Sequence, residues 1–102
     1  MKIPKYIRIG DTEYKIKKKI IIDWNESIAG QINYWKKELL IKEYGDNKID
    51  ESNFFHGIAH GIMKEMEYNH PKVVDLRNNE NFIQELGLVL RKTFKDLMEK
   101  QK

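Results

Sequence analysis

Phe54-Phe55-His56-Gly57-Ile58-Ala59-His60-Gly61-Ile62 sets two histidines four residues apart inside an apolar run. On a helix, that spacing puts two side chains one turn apart on the same side. Neutral imidazoles held this way can grip one metal ion. The run reads as helix by its period, because Phe55, Ile58, Ala59, Ile62 and Met66 fall on one face. At about 100° per residue, His56 and His60 sit at the edge of that apolar stripe. Asp50 or Ser52 can cap the start. Asn69-His70-Pro71 ends the helix near Tyr68, because proline disfavours helix in the residue before it. His70 reads as a loop residue.

Outward from this helix the chain divides into two halves. Downstream, residues 72–78 are a connector with room for one helical turn. Glu80 to about Glu99 forms a second long helix with the stripe Ile83, Leu86, Leu90, Phe94 and Leu97. Upstream, residues 5–9 and 12–18 alternate in polarity around Gly10-Asp11, as a β-hairpin does. Ile20 to Trp24 reads as a short strand. Ser27 to Tyr34 and Glu38 to Tyr44 read as two more around a Trp35-Lys36-Lys37 turn, and Gly45-Asp46-Asn47-Lys48 breaks the pattern. The expected architecture is α+β. A small antiparallel sheet of four or five short strands is followed by two packed helices, in one domain spanning 1–102. Residues 1–48 are the strand-rich half and 49–102 the helical half.

Composition narrows the chemistry. There is no cysteine, which removes disulfides and thiolate metal sites and fits a reducing cytoplasm. Met1-Lys2-Ile3-Pro4-Lys5 lacks the apolar run of a signal peptide. The longest aliphatic run, Ile20-Ile21-Ile22, is far too short to cross a bilayer, so no membrane role is expected. Residues 1–48 carry 11 Lys and Arg against 7 Asp and Glu, and residues 49–102 carry 8 against 9. That step points to a basic face on the strand-rich half.

Zinc peptidases carry His-Glu-x-x-His on a helix, and the glutamate is their general base. Around the histidine pair the chain resembles small phage and prophage proteins of the minimal zincin type, distant relatives of the SprT-like and ImmA/IrrE-like metallopeptidases. The resemblance runs through the opening Met1 to Gly10, the histidine helix Phe54 to Met63, and the late helix Asn79 to Leu90. It implies a minimal zincin-like fold in which the late helix supplies a third zinc ligand. It also implies a bacterial host cytoplasm and, as partner, a host or phage protein.

The chain departs from the family pattern at two positions. Gly57 stands where the catalytic glutamate belongs. The third-ligand glutamate aligns with Gln84, and Glu80, one turn earlier at nearly the same angle, can substitute. His56, His60 and Gln84 are therefore expected to converge. A two-histidine site without an anionic ligand falls short of three good protein ligands, so the expectation is no zinc or weakly held zinc, and no peptidase activity. Glycine costs a helix about 1 kcal/mol against alanine. Gly61 reads as a close-packing position and Gly57 as a trace of a relaxed catalytic site, so that Gly57→Glu with Gln84→Glu should restore zinc binding. Gly87 would let the two helices approach closely.

Three functions follow. The first is a catalytically inactive zincin-like protein that acts by binding a protein partner. The second is a residual zinc-dependent hydrolase. The third is a small nucleic-acid-binding module using Lys15, Lys17, Lys18 and Lys19. That third reading ranks last, because such lysines more often cover a solvent face or guard a sheet edge, and Trp24 and Trp35 read as core or sheet-face residues. Oligomeric state is not written in the sequence.

Overall fold

A computed structural model describes residues 3–19, 30–42, 45 and 47–100. Two hairpins build the sheet. In the first, β1 (Tyr6–Ile9) pairs antiparallel with β2 (Thr12–Lys19), with Ile9 opposite Thr12. Gly10, at φ 60, takes the first central position of the two-residue turn, where a glycine suits the twist of the flanking strands. In the second, β3 (Gly30–Asn33) pairs antiparallel with β4 (Glu38–Lys42). Lys37, at φ 57, closes the turn between them.

The sheet is mixed rather than wholly antiparallel. The strand order is β1-β2-β4-β3, and β2 and β4 run parallel with Ile16 opposite Leu39. Alternation in a sequence identifies strands and hairpins, but not which strand of one hairpin docks on the other. Here the more apolar strand, Glu38–Lys42, takes the centre, with Leu39 and Ile41 fully buried. Polar Gly30–Asn33 is left at the edge, where unpaired backbone meets water at little cost. The expected strand at Ile20 to Trp24, the start of the one from Ser27, and the end of the one reaching Tyr44 lie outside the described residues.

Three helices follow: α1 (Asn47–Glu67), the short α2 (Val73–Arg77) and α3 (Glu80–Lys100). Helix α1 begins before Asp50 and Ser52, the expected caps. Asp50 lies inside its first turn, where a carboxylate suits the helix dipole. The connector does contain its one helical turn, α2. Asn79 caps α3, its Oδ1 accepting from the Phe82 N–H at 3.1 Å.

Helix α1 is packed on two faces. Phe54 and Ile58 join Ile9, Tyr14, Ile16, Leu39 and Ile41 in the core beneath the sheet. Ala59 and Met63 meet Ile83 of α3 and Val73 of α2. Burial of Ile83 alone stabilises the α1–α3 contact by roughly 1.5–3 kcal/mol. The apolar stripes are only partly covered: Met66, Phe94 and Leu97 are 42, 45 and 51% exposed. Among the described residues, no helix is long and apolar enough to cross a membrane.

Candidate metal centre

Helix α1 carries His56 and His60 on a strip between the face that meets the sheet and the face that meets α3. Their rings lie 4.9 Å apart, inclined by 70°. Helix α3 runs antiparallel to α1, with Ile83 beside Ala59 and Met63 and Arg91 beside Glu51. Its first residue stands near the C-terminal end of the histidine strip. Glu80 reaches both rings: Oε2 is 3.3 Å from His56 Nε2, and Oε1 is 3.3 Å from His60 Nε2.

His56, His60 and Glu80 form the cluster able to hold a metal ion among the described residues, with one donor atom from each and all three within 4.8 Å of one another. Donors around a tetrahedral zinc stand about 3.3 Å apart, given zinc–ligand bonds near 2.0–2.1 Å. Each imidazole nitrogen stands at that spacing from one of the two Glu80 oxygens, and a shared ion would draw the three donors closer than the 4.8 Å within which they lie. Two histidines and one glutamate make a donor set that suits zinc and leaves a fourth position open.

Of the two candidates on α3, Glu80 is the one that meets both histidines. Gln84 is exposed, and its side chain makes no hydrogen bond among the described residues. The two positions differ by one turn along α3 and little in angle, so the helical wheel did not separate them. In the structure it is the Glu80 carboxylate that lies on both rings.

Gly57 has a packing reason. A Cβ built there would overlap the side chain of Leu39, which is fully buried and cannot swing away. Position 57 faces the sheet, so its glycine is the residue that lets α1 lie against β4. Close packing, the reading given to Gly61, therefore accounts for Gly57 as well, and a glutamate there would have to displace Leu39. Gly61 follows the same rule, since its Cβ would stand 2.6 Å from Cδ1 of Ile9. Gly87 also lives up to its reading, its Cβ position falling against the backbone of Phe55 and His56.

The surroundings tune the pair. Burial, and then the neighbouring His56, hold the His60 imidazole below its usual pKa, against the opposing pull of Glu80. A neutral imidazole is the metal-binding form. Tyr34, read from the sequence as an aromatic at a strand end and not as part of this site, donates its hydroxyl to the carbonyl of His60 at 3.3 Å. Its ring is capped by Lys64 and by Arg77, whose guanidinium pairs with Glu67 at 2.7 Å. The Tyr34 hydroxyl titrates above its ordinary value, chiefly through burial. The side-chain nitrogen of Asn53, one turn before His56, is buried with no hydrogen-bond partner among the described residues.

The expected lysine patch is dispersed. Lys17 is paired with Glu38. Lys15 and Lys18 are exposed but alternate across the strand, and the Lys19 side chain lies outside the described residues. Trp35 is not in the core but stands 92% exposed at the β3–β4 turn. His70 lies in the exposed turn before α2, as expected.

Comparison of the chain with protein-family models, with curated proteins and with solved structures finds no match.

Proposed function

We propose that the protein is a zinc-binding domain of zincin-like type that clasps one ion between α1 and α3 through His56, His60 and Glu80, and that it is not a working peptidase. The convergence of these three donors from two helices carries the reading. Glu80 supplies the anionic ligand that Gln84 does not, so zinc should bind more firmly than the two histidines alone allow. The absence of peptidase activity follows from position 57. The zinc-peptidase motif places its general base there, and in this chain that position is closed by Leu39. On the resemblance, the role left to such a domain is to bind a host or phage protein.

A residual hydrolase is the second reading. It is favoured by the open fourth position, because three protein ligands are the rule for catalytic zinc and four for structural zinc. Metal analysis and competition with a chromophoric chelator test the primary reading. One zinc per chain is expected, lost in His56→Ala, His60→Ala and Glu80→Ala and retained in Gln84→Ala. Failure of the folded protein to take up zinc would sink it. Zinc-dependent cleavage of an unfolded protein substrate, abolished in Glu80→Ala, would turn the assignment to the hydrolase.

A further inference from the structure

Trp35 stands at the tip of the β3–β4 hairpin with 92% of its surface in water. An indole so placed forgoes the burial that normally makes tryptophan a stabilising residue. The tip that presents it is well tied. Asn33 Oδ1 accepts from the backbone N–H groups of Trp35 and Lys36, at 3.1 and 2.9 Å. The carbonyl of Lys37 accepts from the Lys15 N–H at 2.9 Å, fastening the tip to β2.

A second exposed aromatic faces the same space. Tyr68, just past the end of α1, is 73% exposed. With Trp35, Tyr34, Lys37 and Lys64 it borders a hollow of about 600 Å³. Lys36 is exposed on the same tip. Lys36 and Lys37 have no carboxylate partner among the described residues, and Lys64 reaches Glu67 only at 3.9 Å. Two rings from separate elements thus open onto one hollow lined by Lys37 and Lys64, with Lys36 next to it on the tip.

We propose that this hollow binds single-stranded nucleic acid, with bases stacked on Trp35 and Tyr68 and phosphates held by Lys36, Lys37 and Lys64. Stacking on aromatic rings together with a cationic track is the chemistry by which unpaired strands are held without regard to sequence. A duplex keeps its base faces occupied and cannot use the rings. An acidic peptide satisfies the lysines but leaves both aromatic faces without a flat partner. The surface neither includes nor requires the His56–His60–Glu80 site, so it stands or falls independently of zinc.

The test is fluorescence anisotropy of a labelled oligothymidylate of about 15 nucleotides with the full chain at low salt and with chelator present. Saturable binding is expected, with a duplex of equal length competing poorly. Trp35→Ala should weaken binding about tenfold or more and leave the circular dichroism spectrum unchanged, because the ring supports nothing beneath it. The Lys36→Ala/Lys37→Ala variant should lower the slope of log Kd against log salt by about 1.4, near 0.7 for each phosphate no longer neutralised. No saturable binding at low salt overturns the proposal. So does equal competition by duplex and heparin with no effect of Trp35→Ala, which would mean charge alone. Trp35-dependent competition by polyglutamate equal to that of the oligonucleotide would reassign the hollow to an acidic protein.

Discussion

Gly87 lies against the backbone of His56: a Cβ at position 87 would stand 3.1 Å from the Cα of His56 and 3.2 Å from its nitrogen. Backbone cannot rotate aside as a side chain can. The contact therefore sets how near α3 comes to α1, and with it how near Glu80 comes to the histidines.

Gly87→Ala should consequently weaken the protein in two ways. Alanine gains about 1 kcal/mol of helix propensity, but overpacking against backbone costs typically 1–3 kcal/mol. A net loss of about 1 kcal/mol is expected in chemical denaturation, with weaker zinc uptake in chelator competition. A variant that is more stable and binds zinc as well as the parent would show that the helix spacing is set elsewhere.

Gly57→Glu makes the sequence look more like a zinc peptidase and should make the protein worse. The new side chain must enter the space of Leu39 and bring a charge into the core. Destabilisation of about 3 kcal/mol or more is expected, with no gain in peptide cleavage. Urea denaturation read by circular dichroism measures it. A stable Gly57→Glu protein would mean that α1 does not lie on β4 as described.

Zinc should stabilise the fold by mass action, by about 2.7 kcal/mol at a hundredfold excess over Kd. The thermal midpoint should rise with zinc in the parent, rise equally in Gln84→Ala, and stay unmoved in His60→Ala. An equal rise in His60→Ala would mean that the ion binds somewhere else.

The pH dependence has a definite sign. The His60 imidazole titrates below its ordinary value of 6.5, first through burial and then through His56. Between its folded and unfolded values, the unfolded chain holds more protons at this residue. Stability contributed by His60 is therefore complete above the unfolded value and falls as pH drops through that window. Proton competition for the imidazoles weakens zinc over the same range. An NMR titration of the metal-free protein should place the His60 midpoint below that of an unfolded histidine peptide; a higher midpoint would mean that Glu80 outweighs burial.

Arg91→Ala probes the other end of the α1–α3 contact. The Arg91 guanidinium meets Glu51, a residue only 6% exposed, at 3.3 Å. Loss of a hydrogen bond to a charged group costs about 1.5–3 kcal/mol. Denaturant midpoints of Arg91→Ala and Arg91→Lys should bracket that loss, with lysine recovering part of it. No change in either would reduce the pair to a surface contact.

What the sequence revealed and what it hid divide along physical lines. The bounds of α3 were legible from the Ile83–Leu86–Leu90 period, and the structure adds the cap at Asn79. The start of α1 was obscured by Asp50, which has the chemistry of a cap yet sits inside the first turn. Glu80 and Gln84 point almost alike from their own helix. The contact of Glu80 with both rings depends on the crossing with α1, and a crossing is a property of two elements. Gly57 was visible as a glycine, but its reason lies on β4, in Leu39. The turn at Trp35-Lys36-Lys37 was legible, but the indole looked apolar enough to fold back onto the sheet, and it stands in water instead.

The two histidines and Glu80 differ in freedom of movement. His56 and His60 belong to a helix held on one side by the sheet and on the other by α3, whereas Glu80 is the first residue of its helix, with its side chain 68% exposed. Helix ends fray far faster than helix middles. The residence time of a bound ion would therefore be set by the opening of one turn of α3, with the imidazoles waiting in place. A longer-lived cap at Asn79 would slow both entry and escape while leaving the equilibrium affinity nearly where it was.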